Sequence, residues 1–164
     1  MNKMLGDTSS NPAEDGTSQT PSLPVRSKVF RAMRKDENDK PVIEQSATGL
    51  GVRSGTDINI DAAGNVLLDD NGMSVAPRWR DLELHRIPKR LGTIVPGARG
   101  SNNTYCFTIG TSPFQRSSFG PGLELIPDTD STVHAVVAPN AVVPLTQYEA
   151  SLAATRPDWV IDET

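Results

Sequence analysis

The chain has 164 residues, a formal net charge of −4, 36% hydrophobic residues, and 13 glycines and 13 prolines. That length fits one domain able to bury about two thirds of its unfolded surface, and so many turn-formers exclude a helix bundle in favour of short elements and turns. The negative balance excludes attraction of the whole surface to nucleic acid or to an anionic membrane, so neither is expected as a partner and any anion site must be local. Residues 1–24 are rich in Ser, Thr, Asn, Asp, Gly and Pro and carry almost no large apolar side chains. They are predicted to form a flexible tail, because burial there cannot offset the entropy of ordering, and residues 25–164 are predicted to form the folded domain.

Val29-Phe30-Arg31-Ala32-Met33 reads as a short strand holding one charge among apolar neighbours. A guanidinium in such a place needs a partner, and two readings stand: a salt bridge to an acid of this chain, or a bound phosphate or carboxylate. Residues 34–40 form a charged turn and residues 41–43 a brief strand. Gly49-Leu50-Gly51 hints at a phosphate loop, but the third glycine and following helix of the dinucleotide fingerprint are missing, so a turn is expected. Residues 57–61 alternate polar and apolar and are expected to pair with residues 66–68 as a hairpin. Asp69-Asp70 lacks the spaced ligands of a calcium loop, and no metal is expected there.

Residues 71–91 are the densest stretch of the chain, with a Gly turn, Ser74, Trp79, His85 and two prolines. Pro77 and Pro88 bar one continuous helix, so a turn, a short strand and an irregular basic loop are expected. Residues 78–90 hold five Lys/Arg against two acids, and Trp79 is placed to stack on a base. Further on, residues 92–95 read as a strand and residues 111–122 as an irregular loop. Tyr105-Cys106-Phe107-Thr108-Ile109 alternates with its aromatics and Ile109 on one face, with Cys106 expected as a small buried hydrophobe. Residues 122–126 read as a strand with Glu124 on its polar face, and residues 133–138 as a nearly buried strand carrying His134. For both, a structural reading and a site reading stay open: a solvent-facing carboxylate or a catalytic one, a satisfied imidazole or an active one. Thr146-Gln147-Tyr148-Glu149 has the capping-box pattern and opens the best helix, ended by Pro157, with residues 158–161 packing back on the sheet.

The lone cysteine excludes an internal disulfide framework and fits a reducing compartment. No apolar run approaches the ~20 residues of a membrane helix, and the N-terminus lacks the basic-then-apolar layout of a secretory signal. The expected location is the cytoplasm, or a target cell's cytoplasm reached without a signal peptide. No GxSxG elbow, Walker loop, HExxH helix or kinase signature is present.

Val29-Phe30-Arg31-Ala32, Gly72-Met73-Ser74-Val75, Lys89-Arg90-Leu91 and His134-Ala135-Val136-Val137-Ala138-Pro139, leading to Tyr148, Arg156 and Trp159, resemble a family of type VI secretion effector toxins with an ADP-ribosyltransferase-like fold. The resemblance implies an α+β domain with two packed β-sheets and few helices around a central NAD cleft. It also implies action inside a target cell, transfer of ADP-ribose from NAD to an intracellular macromolecular acceptor, and neutralisation by a cognate immunity protein. Where that family carries adjacent Thr and Ser, this chain has Met73 and Ser74. The order arginine, serine, glutamate suits a nucleotide sugar: Arg31 and Arg78 for phosphate, Ser74 to orient the nicotinamide ribose, and Glu124 or His134 for the ribose hydroxyls. The rival from another class is a non-enzymatic toxin that grips nucleotide, RNA or protein through the basic loop 78–90.

Overall fold

The structure is a computed structural model that describes residues 25–164; the tail expected over residues 1–24 lies outside the described residues. Among the described residues the fold is mixed α and β, mostly strands, with one α-helix. The strands are β1 (Val29–Arg34), β2 (Met73–Val75), β3 (Thr104–Ile109), β4 (Ser117–Gly120), β5 (Leu123–Pro127), β6 (Ala135–Pro139) and β7 (Val160–Ile161), and the helix α1 spans Leu145–Ala153. They form two antiparallel sheets, ordered β1-β3-β7 and β2-β6-β5-β4. The sheets touch edge to edge at one point, where Phe30 and Ala76 exchange main-chain hydrogen bonds of 2.7 and 3.0 Å. From there they enclose a single core.

Alternation builds that core. Val29 and Met33 of β1 face Phe107 and Ile109 of β3 on the side that meets Met73 and Val75 of β2, Leu123 and Leu125 of β5, and Ala135 and Val137 of β6. Tyr105, Phe107 and Ile109 share a face as the sequence predicts. The other face of β3 is covered too, since Cys106 packs with Phe30, Trp79, Ile87 and Leu91 in a second cluster. Burial pushes the Cys106 thiol up to about 12, which keeps it neutral and inert.

The helix closes one end. Tyr148 and Leu152, four residues apart, put their side chains into the main core, and the Tyr148 hydroxyl donates to Val137 O while accepting Met73 N–H at 3.2 Å. That pair of bonds ties β2 to β6 at a point where Gly72 is required: a Cβ there would stand 2.4 Å from Val137 O. Residues 158–161 return to the sheet as predicted, with Trp159 fully buried and its indole N–H on Thr155 Oγ1 at 2.9 Å.

Several local expectations are corrected. Pro144, not a hydroxyl, caps α1, and Thr146 lies inside its first turn without a capping bond. The hairpin of residues 57–61 and 66–68 reduces to one bridge between Ile60 and Val66, closed by Leu67 N–H on Asn59 O and Asp61 N–H on Asn65 O at 2.9 Å each, while Val66 N–H turns the other way to Val143 O at 2.9 Å. Residues 41–43 likewise form bridges only. Residues 92–95 are a turn, since Gly92, Ile94 and Val95 donate back to Lys89 and Leu91. The loop expected over residues 111–122 contains β4, anchored by the fully buried Phe119.

Candidate functional site

A cavity of about 340 Å³ lies where β1 and β2 meet, large enough for a small ligand or part of a larger one. Arg31 and Ser74 line it from the strands. Arg53 and Asp57 come from the segment before β2, and Asp81, Glu83 and Arg86 from the loop after it. Asp128 and His134, at the mouth of the β5–β6 hairpin, form the remaining wall. Charges of both signs therefore meet in one recess, a suitable lining for a ligand that itself carries both.

Ser74 owes its place to strand alternation. On β2 the side chains of Met73 and Val75 are buried in the core while Ser74 is exposed on the opposite face. Position 73 thus falls on the core side, and a hydroxyl there would enter the core rather than the cavity. Ser74 pairs with Val136 of β6, and His134 lies two residues upstream on that same face, a diagonal neighbour at about 7–8 Å by sheet geometry.

Arg31 is only 7% exposed. Its guanidinium donates from Nε and Nη2 to Gly49 O at 3.2 and 3.1 Å, and from Nη1 to Ser74 O at 2.9 Å. Nη2 also reaches Ser46 O and Gly51 O at 3.3 and 3.4 Å. No acid of this chain forms a salt bridge with it among the described residues. Main-chain carbonyls solvate the cation instead, and burial lowers its pKa to about 10. The Gly-Leu-Gly segment makes this cradle. At Gly51 a Cβ would stand 2.3 Å from Glu44 O, so only glycine lets the loop fold tightly enough to turn its carbonyls inward. The turn reading of residues 49–51 is therefore the right one.

Arg53 and Asp57 form a bidentate pair beneath the cavity, with bonds of 3.0 and 3.0 Å and a further 2.7 Å bond from Arg53 N–H. Burial pulls the Asp57 carboxyl up, yet these bonds outweigh it and hold the group below the usual carboxylate range. Asp81 is occupied by Arg78 at 2.9 Å from both Nε and Nη2. His134 Nδ1 lies 2.8 Å from Asp128 Oδ2, and the main chain repeats the link, with Asp128 N–H donating to His134 O at 3.0 Å. Arg86 is half-buried, and among the described residues its guanidinium meets no hydrogen-bond acceptor or acidic partner.

Of the residues singled out from sequence, the fold gathers Arg31, Ser74 and His134 at one cavity and leaves Glu124 and Arg78 outside its lining. Glu124 sits on the outer face of β5 against Arg116, with Oε1 2.7 Å from its Nε, beside a separate shallow depression near residues 67–71. Arg78 is a largely exposed side chain, 73% accessible, bound to Asp81. Trp79 is buried and donates to Thr164 O at 3.0 Å, so its ring is no stacking platform for a base. Sequence reasoning missed Arg86, Arg53, Asp57 and Asp128. For Asp128 the signal was partial: reading residues 122–126 and 133–138 as a hairpin puts Asp128 and His134 near its turn, but the register that sets them opposite each other is supplied by the fold. Arg86 had none beyond its membership of a basic loop.

Against protein-family models, curated proteins and solved structures, the chain finds no match.

Proposed function

We propose that this chain is an ADP-ribosyltransferase-like toxin whose cavity takes the nicotinamide riboside end of NAD. The observation that carries the reading is the convergence of Arg31, Ser74 and His134 on one recess at the junction of two antiparallel sheets. These residues lie far apart in sequence and are brought together by the fold. Ser74 presents a hydroxyl to the ribose, and Arg86 offers an unmatched guanidinium for a phosphate, with Arg31 fixing the floor behind it. The carboxylates of the recess face the pyridinium of NAD and the oxocarbenium-like charge that grows as the nicotinamide–ribose bond breaks, a placement in which preorganised charge contributes several kcal/mol. Glu124 is too remote to share this work.

In this reading the chain acts in the cytoplasm of a target cell and modifies a macromolecular acceptor there. The cell that makes it then requires an immunity protein. The rival reading, a binder that grips RNA through residues 78–90, loses its aromatic platform with the burial of Trp79 and two of its cations to Asp81 and Glu163.

The test is incubation of the full chain with NAD and a cell lysate, following free nicotinamide and label from NAD on macromolecules. The wild type is expected to release nicotinamide, and Ser74→Ala to lose roughly tenfold in rate, the worth of one neutral hydrogen bond, with an unchanged unfolding midpoint. A wild-type chain that yields neither product overturns the proposal.

A further inference from the structure

We infer that Asp128 and His134 form a proton-accepting pair, and that the acceptor of the transferred group is therefore one that gives up a proton, a hydroxyl or water, and not a carboxylate. The inference rests on the NAD reading above and adds the chemistry of the second substrate.

The pair is built into the hairpin. β5 and β6 run in register to the pairing of Pro127 with Ala135, and the next residue on each strand, Asp128 and His134, continues the ladder through the 3.0 Å main-chain bond. Their side chains then meet at 2.8 Å. An ionised carboxylate only accepts, so this contact puts the imidazole proton on Nδ1 and leaves Nε2 with a free lone pair. His134 lines the cavity on the face that carries Ser74, diagonal to it across the β2–β6 pairing. The charged groups that face the imidazole are Asp128 on its own hairpin, Asp81, Glu83 and Arg86 from the loop after β2, and Arg31, Arg53 and Asp57 from the floor.

The step balances without a further reagent. The acceptor oxygen attacks C1′ of the nicotinamide ribose, and the electron pair of the C1′–N bond stays on the ring nitrogen, releasing neutral nicotinamide. The acceptor's O–H proton passes to His134 Nε2, and the resulting imidazolium is held against Asp128 until it returns the proton to water. A carboxylate acceptor has no proton to lose and needs no such base. His134 is then the catalytic residue, and Asp128 a positioning residue that fixes tautomer and ring orientation.

The experiment measures nicotinamide release at saturating NAD across pH 5–9 for wild type, Asp128→Asn, Asp128→Glu and His134→Gln, with NAD alone and with lysate. A positioned base contributes about 10²-fold or more, so His134→Gln is expected to lose about that in kcat with little change in the KM for NAD. Asp128→Asn is expected to lose at least about tenfold and to shift the acid limb of the pH profile, and Asp128→Glu to recover part of the rate. Transferred label should resist neutral hydroxylamine, as an O-glycoside does, with free ADP-ribose as the product when water is the acceptor. If the wild type turns over but His134→Gln and Asp128→Asn leave kcat and the pH profile unchanged, or if hydroxylamine strips the label as it would an ester, the base is refuted while the NAD reading stands. A wild type inert toward NAD removes both.

Discussion

Arg31 and Arg86 line the same cavity and are held in opposite ways. Arg31 is buried, and main-chain carbonyls of Ser46, Gly49, Gly51 and Ser74 surround its fork. Arg86 is half-buried and meets no such acceptor among the described residues. A guanidinium whose donors are used by the fold holds segments together, here tying the loop at residues 46–51 to β2. One whose donors are left over at a cavity wall is ready for a ligand. Residue type alone does not separate the two roles; the number of donors already used does.

Substitution should separate them, and the largest effect is expected at Arg31. Arg31→Ala strips a set of buried carbonyls of their donors and should cost about 3 kcal/mol or more of stability, read as a lower urea midpoint. A variant as stable as wild type would show the cradle to be solvated without the guanidinium. At Arg86 the pattern should invert. Arg86→Ala is expected to leave the midpoint within about 0.5 kcal/mol and to weaken NAD binding by at least about tenfold, the loss of one charge-assisted hydrogen bond to phosphate. Equal losses of stability at the two positions would erase the distinction drawn between them.

The strands were legible where alternation met burial. β1, β3, β5 and β6 announce themselves through runs such as Tyr105-Cys106-Phe107 and Ala135-Val136-Val137, whose apolar side chains face a core. β4 was hidden because a single aromatic, Phe119, anchors an otherwise polar Ser-Gly segment, which has no period to detect. The capping box at Thr146 failed because Pro144, with φ −60° and an extended ψ of 150°, already stands at the cap, so the helix starts two residues earlier than the motif implies. At the site, Arg31 and His134 stand out because each is a polar residue inside an apolar strand and needs a partner there, whereas Ser74 stands out only by its place after a Gly turn and by the resemblance of residues 72–75. Glu124 passed the same filter and proved to sit by Arg116, because strand alternation gives a residue's face but not its distance along the sheet. Arg53, Asp57 and Arg86 come from irregular segments whose positions depend on the packing of the whole chain, so local pattern carries no trace of them.

Asp57 offers the smallest and most specific probe of the Arg31 cradle, since its carboxylate is the leading charge that favours the cationic form of that guanidinium. Its own carboxyl lies below the usual range in the folded state because Arg53 binds it with three hydrogen bonds, against the opposing pull of burial. A folded-state value below the unfolded one means that the unfolded chain binds the proton more readily. The stabilisation is therefore fully present above about pH 4 and is lost as pH falls through the folded value. Asp57→Asn should then destabilise the chain by about 1–2 kcal/mol at pH 7 and by less at pH 2.5, so urea midpoints of wild type and variant converge on acidification. If Arg31 is held chiefly by carbonyls, the variant keeps most of its stability at neutral pH and the gap stays within that range. A gap as large as that of Arg31→Ala would mean instead that the cradle stands on the field of Asp57, and a gap independent of pH would show that the Arg53 bonds do not favour the ionised carboxyl.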